Sequence, residues 1–165
     1  MPHVADDIVT LLIRELEGFG RELDLFPDDA TVWSVVPGVT NSAGNLALHV
    51  AGNLQHYVGA VLGGTAYVRD RPHEFACRDG SRESLKAELD AAARVVRDVM
   101  SRLPEATYDR AYPDSPIPGM DVATRRFLLH LCSHAAMHLG QVGYLRRVLT
   151  GRDESAGPAS VRALV

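Results

Sequence analysis

At 165 residues the chain has the length of one domain able to bury a self-sufficient core. Its 46% apolar and 23% charged residues are those of an ordinary globular protein, and a formal net charge of −4 argues against a nucleic-acid-binding surface. The cysteines, Cys77 and Cys132, are too few for a disulfide framework, no apolar run reaches the roughly 18 residues of a membrane span, and MPHVADDIV lacks the pattern of an export leader, so a cytoplasmic protein without membrane contact is expected.

Apolar residues from Val4 to Phe26 recur at helical spacing and predict a first helix over 4–26, ended by Pro27-Asp28-Asp29. The link that follows carries Trp33, Pro37 and Gly38 and is long for a helix hairpin, which suggests packing across one end of a bundle. Asn41 or Ser42 caps a second helix over 42–62 that stops at Gly63-Gly64. Asn45, His49, Asn53 and His56 run along it as a polar stripe, yet the helix has no Lys, Arg, Asp or Glu, so the stripe reads as lining an internal site. Residues 65–80 read as an irregular, solvated loop, and Ser81 caps an amphipathic third helix over 81–103. Four prolines, at 104, 113, 116 and 118, make the next link a crossover without a helix of its own, before Asp121 caps a fourth helix over 121–149. A small-residue tail over 150–165 reads as a loose end or a short docking segment, and no strand pattern stands out. Four helices with long connections predict an all-α crossover four-helix bundle as a single domain.

Chemistry concentrates in the fourth helix, where LLHLCSHAAMHLGQVG spaces His130, His134 and His138 four residues apart. At about 100° per residue the three rings stay within roughly 80° of one face, shared with Phe127, Leu131, Gln141 and Leu145. Inward imidazoles need partners, and a divalent ion supplies them. Spacing leaves His130/His134 and His134/His138 as equal candidate pairs, with His49 as a third ligand from helix 2. Cys132, about 200° from His134, cannot share that ion, and His56 lies two turns beyond His49, about 10 Å along the axis. His56 is therefore a candidate substrate contact, and Asn45, Asn53 and Gln141 are candidates to orient ligands or an incoming group. No general base is evident on the inward faces. Three neutral nitrogens leave a coordination position open and the charge of the ion uncompensated, the pattern of a catalytic or substrate-binding site.

The segments TNSAGNLALHVAGNL (40–54) and HAAMHLGQ (134–141) resemble the two signature helices of the DinB-like, damage-inducible-type superfamily of four-helix-bundle metalloproteins, and all four helices match in length and order. By matching residues the resemblance implies His49, His134 and His138 as ligands of one divalent ion and leaves His130 outside the set; for imidazole ligands zinc or nickel is expected ahead of iron or manganese. Gly63-Gly64 and the stretch from Arg71 to Phe75 resemble an uncharacterised branch, which adds Arg71 to the candidate substrate contacts. Characterised members are metal-dependent transferases of low-molecular-weight thiols or a maleylpyruvate isomerase. The resemblance thus implies a thiol S-transferase or isomerase, with a non-catalytic metal- or small-ligand-binding bundle as the alternative. Expected partners are a small-molecule thiol or electrophile and a second copy in a homodimer.

Overall fold

Apolar stripes on four long segments face one another in the computed structural model, which describes residues 4–114, 119, 121–157 and 161. In chain order the helices are α1 (Val4–Asp24), α2 (Asp29–Trp33), α3 (Ala43–Leu54), α4 (Arg71–Ala76), α5 (Arg82–Arg102) and α6 (Thr124–Thr150). A π-helical segment, Gln55–Leu62, prolongs α3, and a 3-10 turn, Glu105–Thr107, follows α5. Only an isolated bridge between Ala111 and Ala123 has extended pairing among the described residues. The fold is an all-α bundle. No helix among the described residues is long and apolar enough to cross a membrane.

Both α1 and α3 pack against α5 and α6, so α1 and α3 stand on one diagonal of the bundle and α5 and α6 on the other. This order explains the long links: the first and the last each carry the chain across a diagonal, and the histidine-bearing helices α3 and α6 become direct neighbours. In the first link, α2 lays Trp33 against Gly44 so closely that a Cβ there would stand 2.6 Å from the indole ring. The indole Nε1 donates to the Gly80 carbonyl at 2.7 Å, tying the first link to the second.

Three features differ from those read in the sequence. Asp121 does not cap α6, which starts at Thr124 after an Ala123 N-cap without a side-chain bond. Carbonyls of the preceding link take over instead: Thr124 N–H donates to Arg110 and Arg125 N–H to Tyr108, both at 2.9 Å. Residues 65–80 are not merely a solvated loop, because Asp70 caps α4 and α4 buries Glu74. The last turns of α3 widen into the π-helix, and the Tyr112 hydroxyl donates to the Tyr57 carbonyl within it at 2.7 Å. Ser81 caps its helix as the sequence indicates, and of the two candidates Asn41 and Ser42 it is Ser42 that caps α3, with Asn45 completing a capping box.

Of the tail, two carbonyls are held against the bundle: Arg146 donates to that of Glu154 and Arg21 Nε to that of Ala156. Residues 158–160 and 162–165 of the tail, with 115–118 and Met120 of the crossover, lie outside the described residues. Arg146 is fully buried and its Nε meets Glu22 Oε2 at 2.5 Å, an ion pair that joins α6 to α1. Removing one partner of such a pair strands the other charge, at a cost of about 3–5 kcal/mol. Glu22→Ala should therefore lower unfolding free energy by about that amount in urea titrations. A Glu22→Leu, Arg146→Met double variant should recover most of the loss, and a double variant as weak as Glu22→Ala would contradict the assignment.

Candidate metal centre

His49 comes from the middle of α3, where Ser42 and Asn45 fix the start of the helix, and His134 and His138 come from successive turns of α6. The three rings meet through their Nε2 atoms. His134 Nε2 lies 3.2 Å from His49 Nε2 and 3.1 Å from His138 Nε2. Nitrogens held about 2.0–2.1 Å from a tetrahedral zinc ion stand roughly 3.3 Å apart, so the spacing fits a shared cation. His49 is buried and the other two are half-buried.

The partners of the opposite ring nitrogens set the tautomer of each ring. At His49 Nδ1 the Glu74 oxygen at 2.9 Å prevails over the Arg69 Nη2 donor, which stands 3.1 Å away and is committed to Glu74 Oε2 at 2.8 Å. Glu74 Oε2 accepts from His49 Nδ1 at 2.9 Å, and Gln141 Oε1 accepts from His138 Nδ1 at 2.7 Å. With protons on both Nδ1 atoms, the Nε2 atoms of His49 and His138 carry bare lone pairs aimed at His134 Nε2. A neutral His134 can donate to one of them only, whereas a cation at the meeting point satisfies all three. Burial, then repulsion from the neighbouring histidines, lowers the His134 pKa to about 4. His138 is also lowered by burial and His49, against a partly opposing bond from Gln141. Both rings are thus neutral at pH 7, the form that ligates a metal.

Glu74 is the residue that the sequence reading missed. It projects from α4, a single turn and a half inside the supposed loop, and is 5% exposed. Burial pushes its carboxyl up, but hydrogen bonds from Arg69 and His49 outweigh that and hold it below the usual carboxylate range. Arg69 binds it as a fork, Nε to Oε1 at 2.7 Å and Nη2 to Oε2 at 2.8 Å. Asn45 anchors the segment, its Nδ2 donating to the carbonyls of Glu74 at 2.8 Å and Cys77 at 2.9 Å. Gly52 supplies the room: a Cβ there would lie 2.4 Å from Glu74 Oε1. The clue in the sequence was a glycine one turn after His49 together with a charged pair, Arg69 and Glu74, flanking a capped helical turn.

The remaining candidates divide. Asn45 serves the helix cap and α4 rather than the rings, and Asn53 is buried one turn beyond His49 on α3, outside the three-histidine group. Arg71 is exposed and stacks over Phe75 at 5.1 Å, while the Phe75 ring lies 4.8 Å from that of His49, so Arg71 reaches the site through Phe75. His130 is exposed, its ring 6.0 Å from that of His134 and outside the convergent group. His56 faces Asp114 at 3.8 Å and stands against Tyr57, away from the three nitrogens. Cys132 is buried, and its thiol is pushed up to about 11 by burial, with Glu15 adding to the shift.

The carboxylate behind His49 gives a sharp expectation, since partners in this position typically contribute about 10–100-fold to metal affinity. In chelator-competition titrations Glu74→Gln should weaken zinc binding by about tenfold or more. Gly52→Ala should do the same by displacing Glu74, although alanine favours the helix by about 1 kcal/mol. Because each variant also disturbs the buried Arg69–Glu74 pair, affinity is compared where circular dichroism shows the variants folded, and unchanged affinity in both would remove Glu74 from the site.

The sequence model of the DinB superfamily matches residues 12–142, which include all three histidines. The fold is similar to the crystal structure of a conserved protein from Enterococcus faecalis, at 20% identity and a TM-score of 0.74, over 92% of this chain and 100% of that one. No curated protein matches the chain. The helical bundle, the convergent histidines and the match across most of the sequence agree: the chain belongs to the DinB superfamily.

Proposed function

We propose that this protein holds one divalent ion between His49, His134 and His138 and acts as a metal-dependent transferase of a low-molecular-weight thiol. The observation that carries the proposal is a donor set of three imidazole nitrogens with no carboxylate among them. Such a set leaves the charge of the ion undiminished and a position free, and an ion so bound stabilises an incoming thiol in its thiolate form. Zinc and nickel suit imidazole best, with iron and manganese as further candidates. Around the position, Glu74 with Arg69 holds the His49 ring still, and Gln141 does so for His138. Arg69 also sits over Tyr57, its Cζ 5.7 Å from the ring centroid, a contact that helps hold the guanidinium in its fork on Glu74.

A second reading, a non-catalytic metal- or small-ligand-binding bundle, is favoured by one feature. Glu74, the carboxylate touching the histidines, has both oxygens engaged and its pKa lowered, so it is poorly placed to take up a proton during a reaction.

Cobalt separates the readings. Adding a cellular thiol to the cobalt-loaded protein should produce sulfur-to-metal charge-transfer absorption and release a proton. The band should persist in a Cys77→Ser, Cys132→Ser double variant, because neither cysteine belongs to the convergent group. A cobalt spectrum indifferent to every thiol would refute the transferase reading in favour of the binding bundle.

A further inference from the structure

Gln141 has a second neighbour besides His138: a cavity of about 430 Å³ between the first link, the start of α3 and the C-terminal half of α6. Val36, Val39, Leu46, Leu145 and Val148 wall it together with Gln141. Leu46 and Leu145 are buried, while Val39, at 40%, and Val148, at 66%, are exposed and form its rim. Thr40, Asn41 and Tyr144 add polar groups, and no Asp, Glu, Lys, Arg or His lines it among the described residues.

The volume falls in the range of small-molecule sites, about 300–1,000 Å³. Walls without charge cannot compensate a charged guest for lost hydration, so the fitting guest is neutral and mainly apolar. Gln141 offers it one directional contact. Its Oε1 accepts the His138 Nδ1 proton, which leaves the amide Nε2–H₂ to donate to an oxygen on the guest.

We propose that this cavity binds a neutral, largely apolar molecule carrying a carbonyl or hydroxyl oxygen, and that Gln141 couples its occupancy to the His138 ligand. An amide that donates at Nε2 becomes a stronger acceptor at Oε1, which makes the His138 Nε2 lone pair more basic. Linkage then requires guest and metal to tighten each other by the same factor. The coupling rests on the three-histidine metal reading, whereas the cavity itself does not.

Cyclohexanone, a ring with one carbonyl, is a suitable probe, followed by saturation-transfer NMR on the full chain with and without zinc. Binding should be saturable, with a dissociation constant on the order of millimolar for so few atoms, and several-fold tighter when zinc is present. Val39→Trp and Val148→Trp, at rim positions that tolerate bulk, should each weaken it by about tenfold with unchanged circular dichroism. Gln141→Leu should weaken it and erase the effect of zinc. The cavity proposal is overturned if no saturable binding occurs, if both tryptophan variants bind like wild type, or if binding is lost on raising protein concentration because a second copy fills the groove. Equal affinity with and without bound zinc overturns the coupling. Failure of zinc to bind at all would instead refute the metal reading, and the metal-free titrations would still decide the cavity.

Discussion

Glu74 and His49 share one proton-mediated contact, and the arrangement of the site depends on it. By taking the Nδ1 proton of His49, the carboxylate fixes the tautomer of a buried ring and points its bare nitrogen at His134 and His138. A carboxylate in so dry a place is tolerable only when its remaining valence is filled, and Arg69 fills it with a two-pronged bond. The short helix α4, the double donation from Asn45 and the missing side chain at Gly52 are the means by which the chain delivers that carboxylate. Arg69 and Glu74 cancel each other electrically, so an ion on the three imidazoles keeps most of its charge for an incoming anion.

The bundle topology explains why the convergent histidines come from the second and fourth of the long helices. Because α3 and α6 are neighbours while α1 and α3 are diagonal, a residue in mid-α3 faces two successive turns of α6 across the core. The crossover links that make this order possible are also put to use: the one before α3 closes a cavity against α6, and the one before α6 supplies the carbonyls that cap it. Gln141 lies where the histidine cluster and that cavity meet.

The all-α architecture and the lengths of the long helices were legible because Ile8 through Phe19, Leu85 through Val99 and Phe127 through Leu145 repeat their apolar residues at helical period. The histidines were legible for the same reason: a four-residue interval is geometry written in sequence. Spacing could not choose between His130 and His138, since the choice depends on how α6 is rotated against α3, a tertiary property that leaves His130 exposed. Glu74 was hidden because six residues of helix between charged neighbours carry too little periodicity to distinguish a docked turn from a solvated loop. Asp121 misled for a related reason: local capping chemistry favoured it, but carbonyls from Tyr108 and Arg110, distant in sequence, satisfy the first turn of α6 instead. Ser81 was read correctly and the second cap was narrowed to Asn41 or Ser42, of which the structure takes Ser42, as both caps lie within three residues of the groups they serve.

The central claim is that three nitrogens from α3 and α6 make one metal centre. Elemental analysis of protein purified without an affinity tag tests it most directly, with each histidine replaced by alanine in turn. The account predicts about one divalent ion per chain in the wild type and in His130→Ala, and a metal content near zero in His49→Ala, His134→Ala and His138→Ala. A wild type that neither retains nor takes up a divalent ion, or a His49→Ala variant that still carries one, would contradict it.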